Sequence, residues 1–125
     1  HVTGVQTCAL PIYSIFRLHF DGSYQLQPGG VGVAAVERDP EEECRAWLTK
    51  QLAGKTARRD ALDLLLQAWW MVVEKKHFPV APSEAERQAG WRAAVQGKTV
   101  EIGWLARRGE RAARYQGVTL EQAGL

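Results

Sequence analysis

The sequence predicts an α/β domain in which a mixed sheet is packed by one long helix. Three observations carry that expectation. Two short runs, at residues 14–20 and 31–36, are rich in β-forming side chains. Ala61, Leu62, Leu65, Leu66, Trp69, Val72 and Val73 then recur at three- and four-residue spacing, the period of a helix that is apolar around much of its girth. Clusters of Gly, Pro, Asp and Ser punctuate these segments as turns.

Taken in order, Ser14 to Phe20 (SIFRLHF) reads as a strand, with Phe16, Leu18 and Phe20 on one face and Arg17 and His19 on the other. It runs into a loop of turn-formers, Asp21, Gly22 and Ser23, then Pro28, Gly29 and Gly30. Val31 to Val36 (VGVAAV) is a second apolar strand, stopped by the charged turn Arg38, Asp39, Pro40. Cys44 to Leu52 is expected to be a third strand, joined to the second as an antiparallel meander with Glu41 to Glu43 at the bend. The long helix spans about Ala57 to Lys75 and is expected to be buried against the sheet, with Leu65 in the core. Trp69 and Trp70 are adjacent on it and point about 100° apart, so one serves the core and the other covers the sheet edge. Pro79 and Pro82 end the segment after this helix. Ser83 with Glu86 is a capping box that opens a shorter helix through about Gln96, which Gly97 closes. Thr99 to Leu105 (TVEIGWL) alternates Val100, Ile102 and Trp104 on one face, another strand. A basic segment, Arg107 to Tyr115, comes next, and Thr119 with Gln122 gives a second capping box at which a last helix begins.

The first twelve residues, HVTGVQTCALPI, resemble a translated sequencing-library adapter, which leaves residues 13–125 as the domain and sets Cys8 aside. That length suits one domain with a single core, expected to be a fragment. No apolar run approaches the roughly 18 residues of a membrane helix. Charge is nearly balanced, with 16 Lys and Arg against 14 Asp and Glu, but unevenly spread. Arg107, Arg108, Arg111 and Arg114 cluster late, and Lys55, Arg58 and Arg59 lie mid-chain; such clusters meet phosphate or are solvated surface. Cys44 is then alone, which excludes a disulfide framework and a cysteine metal site and favours a reducing, cytoplasmic setting.

The run Arg17 to Glu37 (RLHFDGSYQLQPGGVGVAAVE) resembles the opening hairpin of ribonuclease H-type domains: a strand ending in Asp-Gly-Ser, four variable residues, then Pro-Gly and a glycine-rich entry into the next strand. The order of elements is similar over residues 14–73, and more loosely over 99–114. The resemblance implies a ribonuclease H-like mixed sheet with a long packed helix, truncated or lacking a central strand. It implies a nucleic acid partner, an RNA:DNA hybrid or related duplex, and Mg²⁺ as cofactor if the site is active. The family's reaction is phosphodiester hydrolysis by water between two divalent cations, which several converging carboxylates must hold.

By the same resemblance Asp21 stands at the family's first metal-ligand position, where a plain alternative is a turn-forming Asp accepting backbone N–H bonds. Ser23 beside it, with Arg107, Arg108 and Arg111, is the expected nucleic acid contact set. Asp60 is the second catalytic candidate, although Ala61 occupies the family's Glu position and Asp63 lies two residues beyond. Helical rotation of about 100° per residue keeps both acids off that direction in this register. Asp60 otherwise reads as a first-turn acid favourable to the helix dipole. Glu74 to Ser83 offers no match to the family's central-strand Asp, and its two prolines oppose a central strand. Gly109 to Arg114 (GERAAR) resembles the closing motif, with Ala113 at the acidic position and Glu110 at a non-ligand one. One ligand of four is retained. The expectation is therefore recognition of a duplex with hydrolysis in doubt, the alternatives being a catalytically inactive protein-interaction domain of a larger polypeptide or an active domain with a corrupted sequence. His19 and His77 lack a second ligand at metal spacing, and Gly29, Gly30 and Gly32 open a strand rather than the helix of a dinucleotide site. Trp91 and Trp104 read as core residues or as platforms for base stacking.

Overall fold

A computed structural model describes residues 16–26, 38–54, 57–105 and 115–125. The adapter-like segment, the expected second strand at 31–36 and the arginines of 107–114 lie outside these. The elements run β1 (Phe16–Leu18), β2 (Tyr24–Leu26), α1 (Arg38–Leu52), α2 (Arg58–Val73), a 3₁₀ turn (Phe78–Val80), α3 (Glu84–Ala94), β3 (Ile102–Leu105) and β4 (Tyr115–Val118). Helices and strands are thus both present. The strands described form two separate antiparallel pairs, β1 with β2 and β3 with β4, in place of one mixed sheet.

The expected third strand at Cys44 to Leu52 is the second half of helix α1. Buried Glu41, Cys44 and Leu48 lie three and four residues apart, a helical period that places them on one face. The Glu41 to Glu43 run, expected at a bend, lies in the N-terminal part of the helix, where acids meet the positive end of the macrodipole. Pro40 sits in the first turn, where no intrahelical N–H is needed. Thr49 Oγ1 donates back to the Arg45 carbonyl at 2.8 Å, a bond that only a helical turn brings into reach.

Helix α2 forms where its periodicity places it, but its partners are helices: it packs on α1 and on α3, and α1 also meets the 3₁₀ turn. Leu64, Ala68 and Met71 of α2 join Cys44, Leu48 and Phe78 in the core, with Trp47, Leu52, Trp70 and Val72 packed around them. Leu65, expected in the core, is 43% exposed, whereas its neighbour Leu64 is 8% exposed. The end of α2 is a Schellman turn: Lys76 N–H donates to the Met71 carbonyl at 2.8 Å and Lys75 N–H to Val72 at 3.1 Å. Lys75 occupies the left-handed position (φ 53°) that glycine usually fills.

Helix α3 begins as its capping box requires, with Ser83 Oγ accepting from Glu86 N–H at 3.3 Å. It presents Gly90 to the Trp70 ring of α2, so closely that a Cβ there would overlap the ring. The strand expected over residues 99–105 is confined to β3, whose partner β4 begins at Tyr115, where the basic segment was expected to end; Ile102 pairs with Val118 and Leu105 with Tyr115. After it, Thr119 and Gln122 cap each other reciprocally, Thr119 N–H to Gln122 Oε1 at 2.9 Å and Gln122 N–H to Thr119 Oγ1 at 3.1 Å. In place of the expected last helix they cap one hydrogen-bonded turn. No helix among the described residues is long and apolar enough to cross a membrane.

Candidate functional site

The β1–β2 hairpin carries the Asp-Gly-Ser turn. His19 N–H donates to the Ser23 carbonyl at 2.8 Å and Gly22 N–H to His19 at 3.0 Å, closing the loop. Gly22 takes φ +88°, a conformation that a side chain would strain. Asp21 Oδ1 accepts from Ser23 N–H at 2.9 Å and from Ser23 Oγ at 2.6 Å. These bonds, the hydroxyl first and then the amide, with the nearby His19 charge, hold the exposed Asp21 carboxyl below the usual range. Asp21 and Ser23 thus build the turn together, and one carboxylate oxygen is already engaged.

The register pairs Phe16 with Leu26 and Leu18 with Tyr24, so these four side chains share one face of the hairpin. All four are exposed, as is Phe20 at the turn. The Phe16 and Tyr24 rings meet edge to face at 5.8 Å. The face that the alternating pattern marks as apolar is therefore open to solvent.

The acids of α2 divide. Asp60 lies exposed in the first turn. Asp63 is the hub of a part-buried network: Oδ2 accepts from Gln67 Nε2 at 2.7 Å and Gln88 Nε2 at 3.0 Å, and Oδ1 accepts from Trp91 Nε1 at 2.9 Å. Gln67, fully buried, passes the network on by accepting from Arg87 Nε at 2.7 Å. Arg87 in turn donates to the Pro82 carbonyl and lies over the Trp47 ring at 5.2 Å. The network ties α2 to α3 and leaves Asp63 committed to protein donors. Among the described residues, no three His, Cys, Asp or Glu side chains lie close enough to share a metal ion. Asp21, Asp60 and Asp63 are therefore not gathered with a further ligand there, and the described residues do not fit a two-cation Mg²⁺ site.

Each of the five tryptophans has its own cation. Arg58 lies over Trp104 at 5.5 Å, Lys76 over Trp70 at 5.7 Å, Arg87 over Trp47, Arg92 over Trp91 at 5.2 Å and Lys98 over Trp69 at 5.7 Å. Such contacts stabilise by about 0.5–1 kcal/mol when exposed, and the aliphatic stem shields the ring. Trp91 is 2% exposed and bonded to Asp63, so it offers no face to a base, and a guanidinium lies over one face of the half-buried Trp104. The mid-chain arginines are engaged as well: Arg58 by Trp104, and Arg59 through Nε to the Gly124 carbonyl at 2.7 Å. His77 sits 4.0 Å from Glu43 through Nδ1, a contact between α1 and the turn after α2 that no sequence spacing suggests. Compared with family models, curated proteins and solved structures, the chain matches none.

Proposed function

We propose that the chain is a ribonuclease H-like module that binds nucleic acid, an RNA:DNA hybrid or related duplex, without cutting it. The observation that carries this reading is the Asp21-Gly22-Ser23 turn that follows β1: Gly22 turns left-handed and Asp21 and Phe20 are exposed, beside the exposed Phe16 and Tyr24 rings of the flanking strands. The strand paired with β1, Tyr24–Leu26, lies among the residues expected as loop, and the expected second strand at 31–36 lies outside the described residues. Exposed rings on a hairpin suit base contacts. Arg107, Arg108 and Arg111 supply the phosphate contacts in this reading, as the resemblance implies. Hydrolysis is left out because Ala61 and Ala113 stand where the resemblance requires carboxylates. A second reading, protein association, is favoured by one specific observation: Phe16, Leu18, Tyr24 and Leu26 form one open apolar face.

The test is fluorescence anisotropy with a labelled RNA:DNA hybrid across a salt series. Binding should weaken steeply with salt. Changing Arg107, Arg108 or Arg111 to Gln should lower the logarithmic slope by about 0.9 for each phosphate that the side chain neutralises. Absence of salt-dependent binding, with self-association or protein capture through the Phe16 face, would favour the second reading. Mg²⁺-dependent cleavage of the hybrid that vanishes in Asp21→Asn would overturn the exclusion of hydrolysis.

A further inference from the structure

Helix α3 ends at Ala94, and Gly97, with φ +72°, reverses the chain behind it. The Lys98 N–H donates to the Val95 carbonyl at 2.9 Å, and the reversal sets the Lys98 ammonium over the Trp69 ring of α2. Between the reversed chain and α2 lies a cavity of about 300 Å³. Leu66, Trp69, Val95 and Val100 supply its apolar walls, and Lys98, Thr99 and Glu101, all exposed, complete the lining. The volume is at the lower end for small-molecule sites, which combine apolar walls with a few polar groups that fix orientation.

We propose that this cavity binds a small monocarboxylate with an apolar body. The apolar walls take the body, and the Lys98 ammonium, held near the rim by the Trp69 face, takes the carboxylate. Glu101 in the same lining opposes the carboxylate and leaves only a modest net attraction to Lys98. The proposal stands on this cavity and does not rest on nucleic acid binding.

Three probes with one body and different heads test the proposal on the full chain: phenylbutyrate, phenylbutyramide and phenylbutylamine, followed through the Trp69 indole N–H by NMR. A ligand of this size binds with a Kd on the order of 1 mM. The carboxylate should bind about threefold more tightly than the amide, and the amine most weakly. Lys98→Met should leave amide binding unchanged and reverse the order, the carboxylate then binding about twofold more weakly than the amide because Glu101 remains. Glu101→Gln should tighten the carboxylate about twofold, a gain that loss of folding cannot imitate. Equal binding of all three probes, preference for the amine, a carboxylate preference that survives Lys98→Met, or no response at Trp69 would each overturn the proposal.

Discussion

Asp60 and Asp63 are both acids near the start of α2 and both lie close to the position where the resemblance wants a carboxylate. Only the fold separates them. Asp63 accepts from Gln67, Gln88 and Trp91, and two of these donors come from α3. Removing it strands buried donors, and each unsatisfied group costs about 1–3 kcal/mol. Asp63→Ala should therefore destabilise by roughly 2–4 kcal/mol in a urea titration, whereas Asp60→Ala should fall within about 0.5 kcal/mol of the wild type. Equal destabilisation at the two positions would contradict the network. Helical spacing suggests only Gln67, four residues on; the other two donors lie 25 and 28 residues away, and only the packing of α3 on α2 brings them in. Asp21 is more legible: a turn-forming Asp bonding two residues ahead is a local device, and Asp-Gly-Ser spells it out.

Among the elements, those with local punctuation are readable. The Thr119–Gln122 box closes reciprocally, Ser83 caps α3 through its hydroxyl, and α2 lies where its period puts it. Helix α1 reads as strand and turn because its apolar residues are few and its acids and Pro40 resemble a bend; its true signal is the spacing of Glu41, Cys44 and Leu48. β4 escapes the pattern because Tyr115 to Val118 has three of its four residues exposed, so little alternation marks it. Periodicity also leaves the orientation of α2 open, because a helix apolar on most sides does not show which stripe is inward. The structure chooses Leu64 over Leu65. Leu64→Ala should cost about 2–5 kcal/mol and Leu65→Ala less than about 1 kcal/mol by denaturant titration, and the reverse order would mean that α2 is turned the other way.

For the whole molecule, one thiol reports the integrity of the helical core. Burial among α1, α2 and Phe78 pushes the Cys44 thiol up to about 11, so the reactive thiolate is scarce near neutral pH. A disulfide reagent should label Cys44 in native protein only as fast as the core opens, and at once in denaturant. Rapid labelling at Cys44 in native protein, told apart from Cys8 by peptide mapping, would show α1 to be loosely held. Asp63→Ala should speed it, since loosening α3 weakens the support of α2. The approach of Gly90 to the Trp70 ring has a consequence of another kind. Two residues twenty positions apart share one volume, and neither can enlarge unless the other shrinks. In any lineage descended from this sequence they should change together, a bulkier residue at 90 arriving with a smaller one at 70, and the pair would stand as an inherited signature of how α2 and α3 meet.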